Sequence, residues 1–119
     1  MKIDESAFND VVNLQGVKGL VLVSLDGRII FKHFKAASAQ QIEAWDWNNF
    51  LGSIDGMREV DLAFENGHLY LRRTPSGYLA VVAGSDVQIA LLRLNCDILL
   101  PALIQRQGSS GGIKRFFKK

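Results

Sequence analysis

The stretch "MREVDLAFENGHLYLRRTPSGYLAVVAG" (residues 57–84) decides the fold, because it holds three strand-like runs separated by two turn signals. The signals are Asn66-Gly67 and "TPSG" (74–77), whose residues favour tight reversals of the chain. The last run, "YLAVVAG", is apolar at nearly every position, which is typical of a strand covered on both faces. Residues 57–84 therefore predict an antiparallel meander of three strands.

The first of these runs, residues 57–65, alternates between apolar and acidic side chains. Its apolar face comprises Val60, Leu62 and Phe64, and its acidic face comprises Glu59, Asp61 and Glu65. We expect the acidic side chains to be solvated. If the strand ends the sheet, its unpaired backbone groups offer an edge to another strand, and a two-fold symmetric partner can pair with it in an antiparallel manner.

An earlier pair of runs predicts a second hairpin. "GLVLVSL" (19–25) is apolar enough for a strand buried on both faces, and "RIIFKHF" (28–34) has the polar positions of an edge strand. Between them, Asp26-Gly27 is a turn signal because type I′ turns need positive φ.

Three further segments predict helices. Residues 3–14 carry an apolar stripe, residues 38–54 begin at Ser38 as a plausible N-cap, and a last helix begins near Ser85. We expect Pro101 to kink or interrupt that last helix. The order is αββαβββα, which predicts an α+β fold with helices packed on an antiparallel sheet.

Composition places the chain among ordinary folded proteins, with 119 residues of which 48% are hydrophobic and 22% charged. We interpret residues 1–107 as one domain and residues 108–119 as a Gly/Ser linker with a basic aromatic tail. Cys96 is the only cysteine, so a disulfide framework is excluded and a cytoplasmic location fits best. We find neither a signal-peptide pattern at the N-terminus nor an apolar run long enough to span a membrane.

The basic character of the chain is confined to its end. The last six residues carry four positive charges, and the rest holds ten Lys and Arg against twelve Asp and Glu. The domain thus lacks the basic footprint of a nucleic-acid-binding protein. Three interpretations of the tail stay open: it contacts an anionic membrane, it contacts an acidic partner protein, or it only keeps the protein soluble. It consists of Lys114, Arg115, Phe116, Phe117, Lys118 and Lys119.

The two tryptophans, Trp45 and Trp47, point about 200° apart if residues 38–54 form one helix. The sector expected to face the sheet comprises Ala44, Trp47, Phe50, Leu51 and Ile54. Trp45 and Ile42 then lie on the opposite side with Asn49 beside them, an unusual surface for a monomer. We interpret Ile42, Trp45, Asn49, Val60 and Leu62 as a dimer interface. Burial of Trp45 under a loop or the tail is the alternative.

The sequence shows no catalytic or metal-binding pattern. His33, His68 and Cys96 fall on separate elements without metal-ligand spacing, and no nucleophile is paired with a recognisable base. "GSSGG" (108–112) lacks the Gly-Lys-Ser/Thr ending of a phosphate-binding loop. We therefore expect no cofactor, no metal and no enzymatic activity.

The segments "GVKGLVLVSLDGRII" (16–30), "GMREVDLAFENGHLYLRR" and "GYLAVVAG" resemble the Roadblock family of dynein light chains and bacterial MglB-type proteins. The resemblance spans about residues 3–106 and rests more on the order of elements than on single residues. It implies a five-stranded antiparallel sheet, with the middle helix on one face and the terminal helices on the other. It also implies dimers formed by the middle helix and the strand after it.

The resemblance further implies a partner, since proteins of this kind typically bind or regulate Ras-like small GTPases. Our first hypothesis is a homodimeric adaptor that modulates the nucleotide cycle of such a GTPase, with an arginine finger conceivable at Arg58, Arg72 or Arg73. The alternatives are a scaffold or light chain without effect on that cycle, and a small-molecule sensor with a pocket between sheet and helix.

Overall fold

A computed structural model describes the backbone of residues 8–111 and the side chains of residues 8–37 and 40–101. The elements are, in order, α1 (Asn9–Val12), β1 (Val17–Ser24), β2 (Ile29–Phe34), a 3₁₀ helix (Ala37–Ala44), α2 (Trp47–Ser53), β3 (Glu59–Phe64), β4 (Gly67–Thr74), β5 (Gly77–Gly84) and α3 (Ile89–Gly111). The predicted α+β class is confirmed. The first helix is described only from residue 8 onward, and residues 3–7 of that prediction lie outside the described residues.

The five strands form one antiparallel sheet in the order β2-β1-β5-β4-β3. The meander β3-β4-β5 is confirmed, and β5 closes the sheet by pairing with β1, for example Leu20 opposite Val81. The apolar strands β1 and β5 are buried at nearly every position. β2 lies at one edge of the sheet, as its polar positions predicted, and β3 lies at the other edge, which meets the condition set for its pairing with a partner strand.

The turns use glycine for two different reasons. Gly27 has φ +91° in the β1–β2 turn, but Asp26 does not have a positive φ, so the predicted reversal forms without the type I′ geometry that Asp26-Gly27 favours. The β3–β4 turn is displaced by one residue, because Phe64 pairs with Gly67 and leaves Glu65 and Asn66 as the loop. Gly67 is already in β4, where a Cβ atom would lie 2.2 Å from the Ala83 carbonyl oxygen.

Two apolar cores lie on opposite faces of the sheet. On one face α1 and α3 pack through Phe8, Val11, Leu92, Cys96 and Leu99. On the other face the 3₁₀ helix and α2 pack through Ile42, Trp47, Leu51 and Ile54. The distribution of helices implied by the family resemblance is confirmed.

The single helix predicted over residues 38–54 is wrong, because the chain forms a 3₁₀ helix and then a separate α2. Trp45 and Asp46 leave the helical conformation, with ψ of 151° and 80°. The Asp46 carboxylate then caps α2 by accepting a hydrogen bond from the Asn49 amide at 3.3 Å. The N-cap of α2 is therefore Asp46, eight residues after the predicted cap at Ser38.

The last helix also differs from its prediction at the start and in the middle. A turn closed by the Val87 amide and the Gly84 carbonyl (3.2 Å) precedes it, so α3 begins at Ile89 and not near Ser85. It continues through Pro101 without interruption and reaches Gly111. Residues 108–111 of the predicted linker are thus helical, and the domain boundary after residue 107 stays a prediction.

Candidate interaction surfaces

The first candidate surface lies around the break between the 3₁₀ helix and α2. Trp47 is buried, and its indole Nε1 donates to the Ile42 carbonyl at 2.8 Å. Trp45 is 37% exposed and rests on its neighbours, with ring centroids 5.5 Å from Trp47 and 5.6 Å from Phe50. The orientation predicted for Trp47 is confirmed, and Trp45 presents part of its ring to solvent.

The exposed Trp–Ile pair expected from the helical wheel does not form. Ile42 is buried in the core between α2 and the sheet, because the chain breaks at Trp45 and Asp46 and a single wheel over residues 38–54 does not relate the faces of the two helices. Ala44, expected to face the sheet, is exposed for the same reason. The wheel was therefore wrong at these two positions.

The remaining residues of the predicted interface lie close to Trp45 in the chain or on β3. Asn49 is exposed, and its side-chain amide donates to the Asp46 carboxylate at 2.8 Å. Val60 and Leu62 are half-buried against the α2 core. The interface itself stays a prediction.

An open cleft of about 370 Å³ separates the 3₁₀ helix from the β3–β4 turn. Trp45 and Phe64 both line it, and Phe64 is 56% exposed. Lys18 and His68 contribute its polar lining. Two exposed aromatic rings therefore flank a groove beside the end strand of the sheet, on the face covered by α2.

The second candidate surface is a polar cluster between β3, β4 and α3. The Glu59 carboxylate accepts hydrogen bonds from the Tyr70 hydroxyl and from Arg93 Nε. Arg72 donates to the Tyr70 hydroxyl at 3.1 Å and to Asp97 at 2.7 Å. Two arginine–carboxylate pairs thus join the middle of α3 to the end of the sheet.

The ionisation of this cluster follows from its contacts. Donation by the Tyr70 hydroxyl, and then by Arg93, lowers the pKa of Glu59 below its ordinary value of 4.5. Burial, followed by the bond to Glu59, raises the pKa of Tyr70 to about 12. Both groups therefore keep their neutral-pH states, a carboxylate and a protonated phenol, over a widened pH range.

The acidic side chains of β3 are exposed to solvent, as expected, and two of them also have partners within the chain. Glu59 belongs to the polar cluster, and Asp61 Oδ1 lies 2.9 Å from His68 Nδ1. Their partners are His68 and Tyr70 on the neighbouring strand β4 and Arg93 on α3, which packs on this face of the sheet. The sequence alone did not place them there.

The three arginines considered as fingers occupy different environments. The Arg72 side chain is only 12% exposed and is held by Tyr70 and Asp97. Arg73 lies over the Tyr78 ring, 5.6 Å from its centroid. The Arg58 guanidinium makes no hydrogen bond or ion pair within the described residues and lines a cleft of about 280 Å³ beside the polar cluster.

The outer face of α3 carries an apolar stripe that the sequence analysis missed. Leu91, Leu94 and Ile98 are 42%, 53% and 62% exposed. Their spacing of three and four residues puts them on one side of the helix, a signal that was available in the sequence. This α3 stripe borders the polar cluster.

Within residues 8–111, no three His, Cys, Asp or Glu side chains are grouped so as to hold a metal ion. No helix in the same part of the chain is both long enough and apolar enough to cross a membrane. The basic tail, residues 114–119, lies outside the described residues.

No family model matches the sequence, and no curated protein matches it. Solved structures resemble the fold. A Roadblock/LC7 domain from Streptomyces avermitilis has a TM-score of 0.67 and 18% identity, covering 89% of this chain and 98% of its own. An MglB with a tetrameric arrangement has a TM-score of 0.65 and 14% identity, with 85% of each chain covered. MglC from Myxococcus xanthus has a TM-score of 0.61 and 16% identity, covering 82% of this chain and 93% of its own.

Proposed function

We propose, from its Roadblock/LC7 fold, that this chain is a cytoplasmic homodimeric adaptor. It binds a Ras-like small GTPase and modulates the nucleotide cycle of that GTPase without a catalytic centre of its own. The observation that carries the proposal is that Trp45 is exposed beside β3, which is an edge strand of the sheet.

The dimer uses two features on the same side of the molecule. Among the described residues β3 pairs with β4 alone, so its other side presents unpaired backbone groups to a second β3. Burying the exposed third of Trp45, on the order of 80 Å², contributes about 2 kcal/mol per protomer. Val60 and Leu62 extend the apolar contact along β3. An MglB whose structure has a tetrameric arrangement supports self-association as a property compatible with this fold.

The regulatory role follows from positioning and not from donated chemistry. Arg72 is held by Tyr70 and Asp97, and Arg73 lies over Tyr78, so both guanidinium groups are engaged within the chain. Arg58 is the one of the three candidates that is free to reach a partner. We therefore propose that the dimer orders the catalytic residues of the GTPase, with any arginine contribution limited to Arg58.

The dimer is tested by light scattering after gel filtration of the wild type and of Trp45→Glu. We expect a wild-type dimer and a folded monomeric variant. Leu25→Glu is the control, because Leu25 is an exposed apolar residue of the β1–β2 turn and should leave the dimer intact. A wild-type monomer, or a Trp45→Glu dimer, contradicts the interface.

The regulatory role is tested by GTP hydrolysis and nucleotide exchange of bacterial Ras-like GTPases, with and without the wild-type dimer. A change in either rate that Trp45→Glu abolishes supports the proposal, and retention of the effect in Arg58→Ala excludes a finger. Saturable binding to a GTPase with both rates unchanged identifies a scaffold or light chain instead. Absence of binding overturns the GTPase partner.

A further inference from the structure

We infer that the outer face of α3 is a docking surface for an acidic amphipathic helix of another protein. The surface has two parts, the α3 stripe of Leu91, Leu94 and Ile98 and the arginines at its border. It lies on the sheet face opposite α2, so it is distinct from the proposed dimer contact.

The α3 stripe has the dimensions of a helix–helix seam. Residues 91, 94 and 98 follow the three-four spacing of a and d positions, and Pro101 continues it as an exposed residue. Leu92, Cys96 and Leu99 face the core from the other side of the same helix. α3 therefore has two apolar sides, and only one of them is covered within the described residues.

The border of the stripe selects the charge of the partner. Three guanidinium groups and two carboxylates line the adjoining cleft, giving an excess of one positive charge. Each carboxylate is already bonded to an arginine, Glu59 to Arg93 and Asp97 to Arg72. Within the described residues the Arg58 guanidinium has no partner, and Arg93 donates to Glu59 through Nε while its side chain is 48% exposed. These planar groups suit a carboxylate from outside the chain.

A second copy that docks its α3 against this α3 does not supply such a carboxylate. Asp97 is the only acidic residue of α3, and it is hydrogen-bonded to Arg72 of its own chain. An anionic lipid surface also fits poorly, because Glu59 and Asp97 stand among the arginines and would face its headgroups. A helix with a leucine-like seam and a glutamate or aspartate beside it satisfies both the stripe and Arg58.

The test uses two labelled synthetic helices with leucine at the a and d positions. One carries glutamate at the flanking positions and the other carries lysine, and both are followed by fluorescence anisotropy as full-length protein is added. We expect saturable binding of the glutamate helix only. Leu94→Gln should weaken it by roughly tenfold or more, and Arg58→Ala by roughly three- to tenfold, with the Arg58 effect reduced at high salt.

Matched controls are available in the β1–β2 turn. Leu25 is 51% exposed against 53% for Leu94, and Arg28 is an exposed arginine paired with Asp26. Leu25→Gln and Arg28→Ala should leave binding unchanged. All four variants change exposed side chains, and thermal unfolding checks that they remain folded.

Four outcomes overturn the inference. The first is that binding of the glutamate helix does not saturate up to about 1 mM protein, and the second is that the lysine helix binds equally well. The third is that Leu25→Gln weakens binding as much as Leu94→Gln does. The fourth is that neither Leu94→Gln nor Arg58→Ala weakens binding. Binding of phosphatidylcholine/phosphatidylserine vesicles that Leu94→Gln abolishes would assign the stripe to lipid. A rise of molar mass with concentration that Leu94→Gln abolishes would assign it to a second copy.

Discussion

The Tyr70 hydroxyl links the two ion pairs that fasten α3 to the sheet, and its removal in Tyr70→Phe tests the polar cluster. The phenyl ring stays in place, so no cavity forms. The loss leaves Arg72 Nη1 without its acceptor in a side chain only 12% exposed. Hydrogen bonds to charged groups contribute about 1.5–3 kcal/mol. Glu59 keeps Arg93 and some access to water, so we expect a loss of about 1.5 kcal/mol at pH 7.

The difference in stability between the wild type and Tyr70→Phe should decrease at alkaline pH. The folded-state pKa of Tyr70, about 12, exceeds its ordinary value of 10.0, so the stabilisation is complete below pH 10 and is lost as the pH rises toward 12. Two pKa units set an upper bound of about 2.7 kcal/mol, which contact of the cluster with solvent reduces to about 1.5. The wild type therefore loses stability above pH 10 that Tyr70→Phe does not lose.

The acid side depends on Glu59. Its lowered pKa stabilises the folded state above pH 4.5, and that stabilisation is lost as the pH falls below 4.5 through the folded-state pKa. Tyr70 is the largest cause of the lowering, so Tyr70→Phe loses less stability on acidification. The difference in unfolding free energy between the two proteins should be greatest between about pH 5 and 10 and narrow at both ends.

Urea unfolding followed by tryptophan fluorescence measures this difference from pH 4 to 11.5. Protein concentration is held constant because the proposed dimer would add to the apparent stability. Tyr78→Phe is the control, since the Tyr78 hydroxyl donates to the Met57 and Ile54 carbonyls and not to a carboxylate. A difference below about 0.5 kcal/mol at pH 7, or one that stays constant up to pH 11.5, refutes the described cluster.

Three further outcomes are expected. Gly67→Ala should destabilise the protein by more than about 2 kcal/mol in urea unfolding, because the added Cβ atom would lie 2.2 Å from the Ala83 carbonyl oxygen. Its comparison is Gly52→Ala in α2, where the added Cβ atom meets open space and should stabilise the protein by about 0.5–1 kcal/mol. Burial raises the pKa of Cys96 to about 11, so the native thiol should react with Ellman's reagent only at the rate of unfolding. Trp45→Glu should leave the affinity for the glutamate helix unchanged, because the two surfaces lie on opposite faces of the sheet.

The sheet could be predicted from the sequence because its signals are local. Alternation in residues 57–65, the apolar strands and the turns at Gly27 and residues 74–77 each act over a few residues. The displaced β3–β4 turn shows the limit of such signals. Asn66-Gly67 favours a type I′ turn, but Gly67 is needed where β4 approaches the backbone of β5. That contact depends on a strand that comes later in the chain.

The break in the middle helix could have been recognised, and the polar cluster could not. Asp46 before "WNN" is a good N-cap, but an apolar wheel over residues 38–54 concealed it. The cluster, by contrast, joins Glu59 to Arg93, which is 34 residues away. No periodicity within one element contains that information, because the pair forms only after α3 has packed on the sheet.

The alternation of β3 connects the two proposed surfaces. Val60 and Leu62 face α2, and Glu59 faces α3. A two-fold dimer that pairs β3 with β3 joins two sheets edge to edge and keeps both α3 helices on one side of the joined sheet. Each dimer then presents two copies of the α3 stripe to the same partner. Two linked acidic helices would gain roughly 10²–10⁴-fold in avidity over one if their linker spans the two stripes. Dimerisation through β3 and Trp45 would thus raise the avidity of the α3 stripe for its partner, although the two contacts share no side chain.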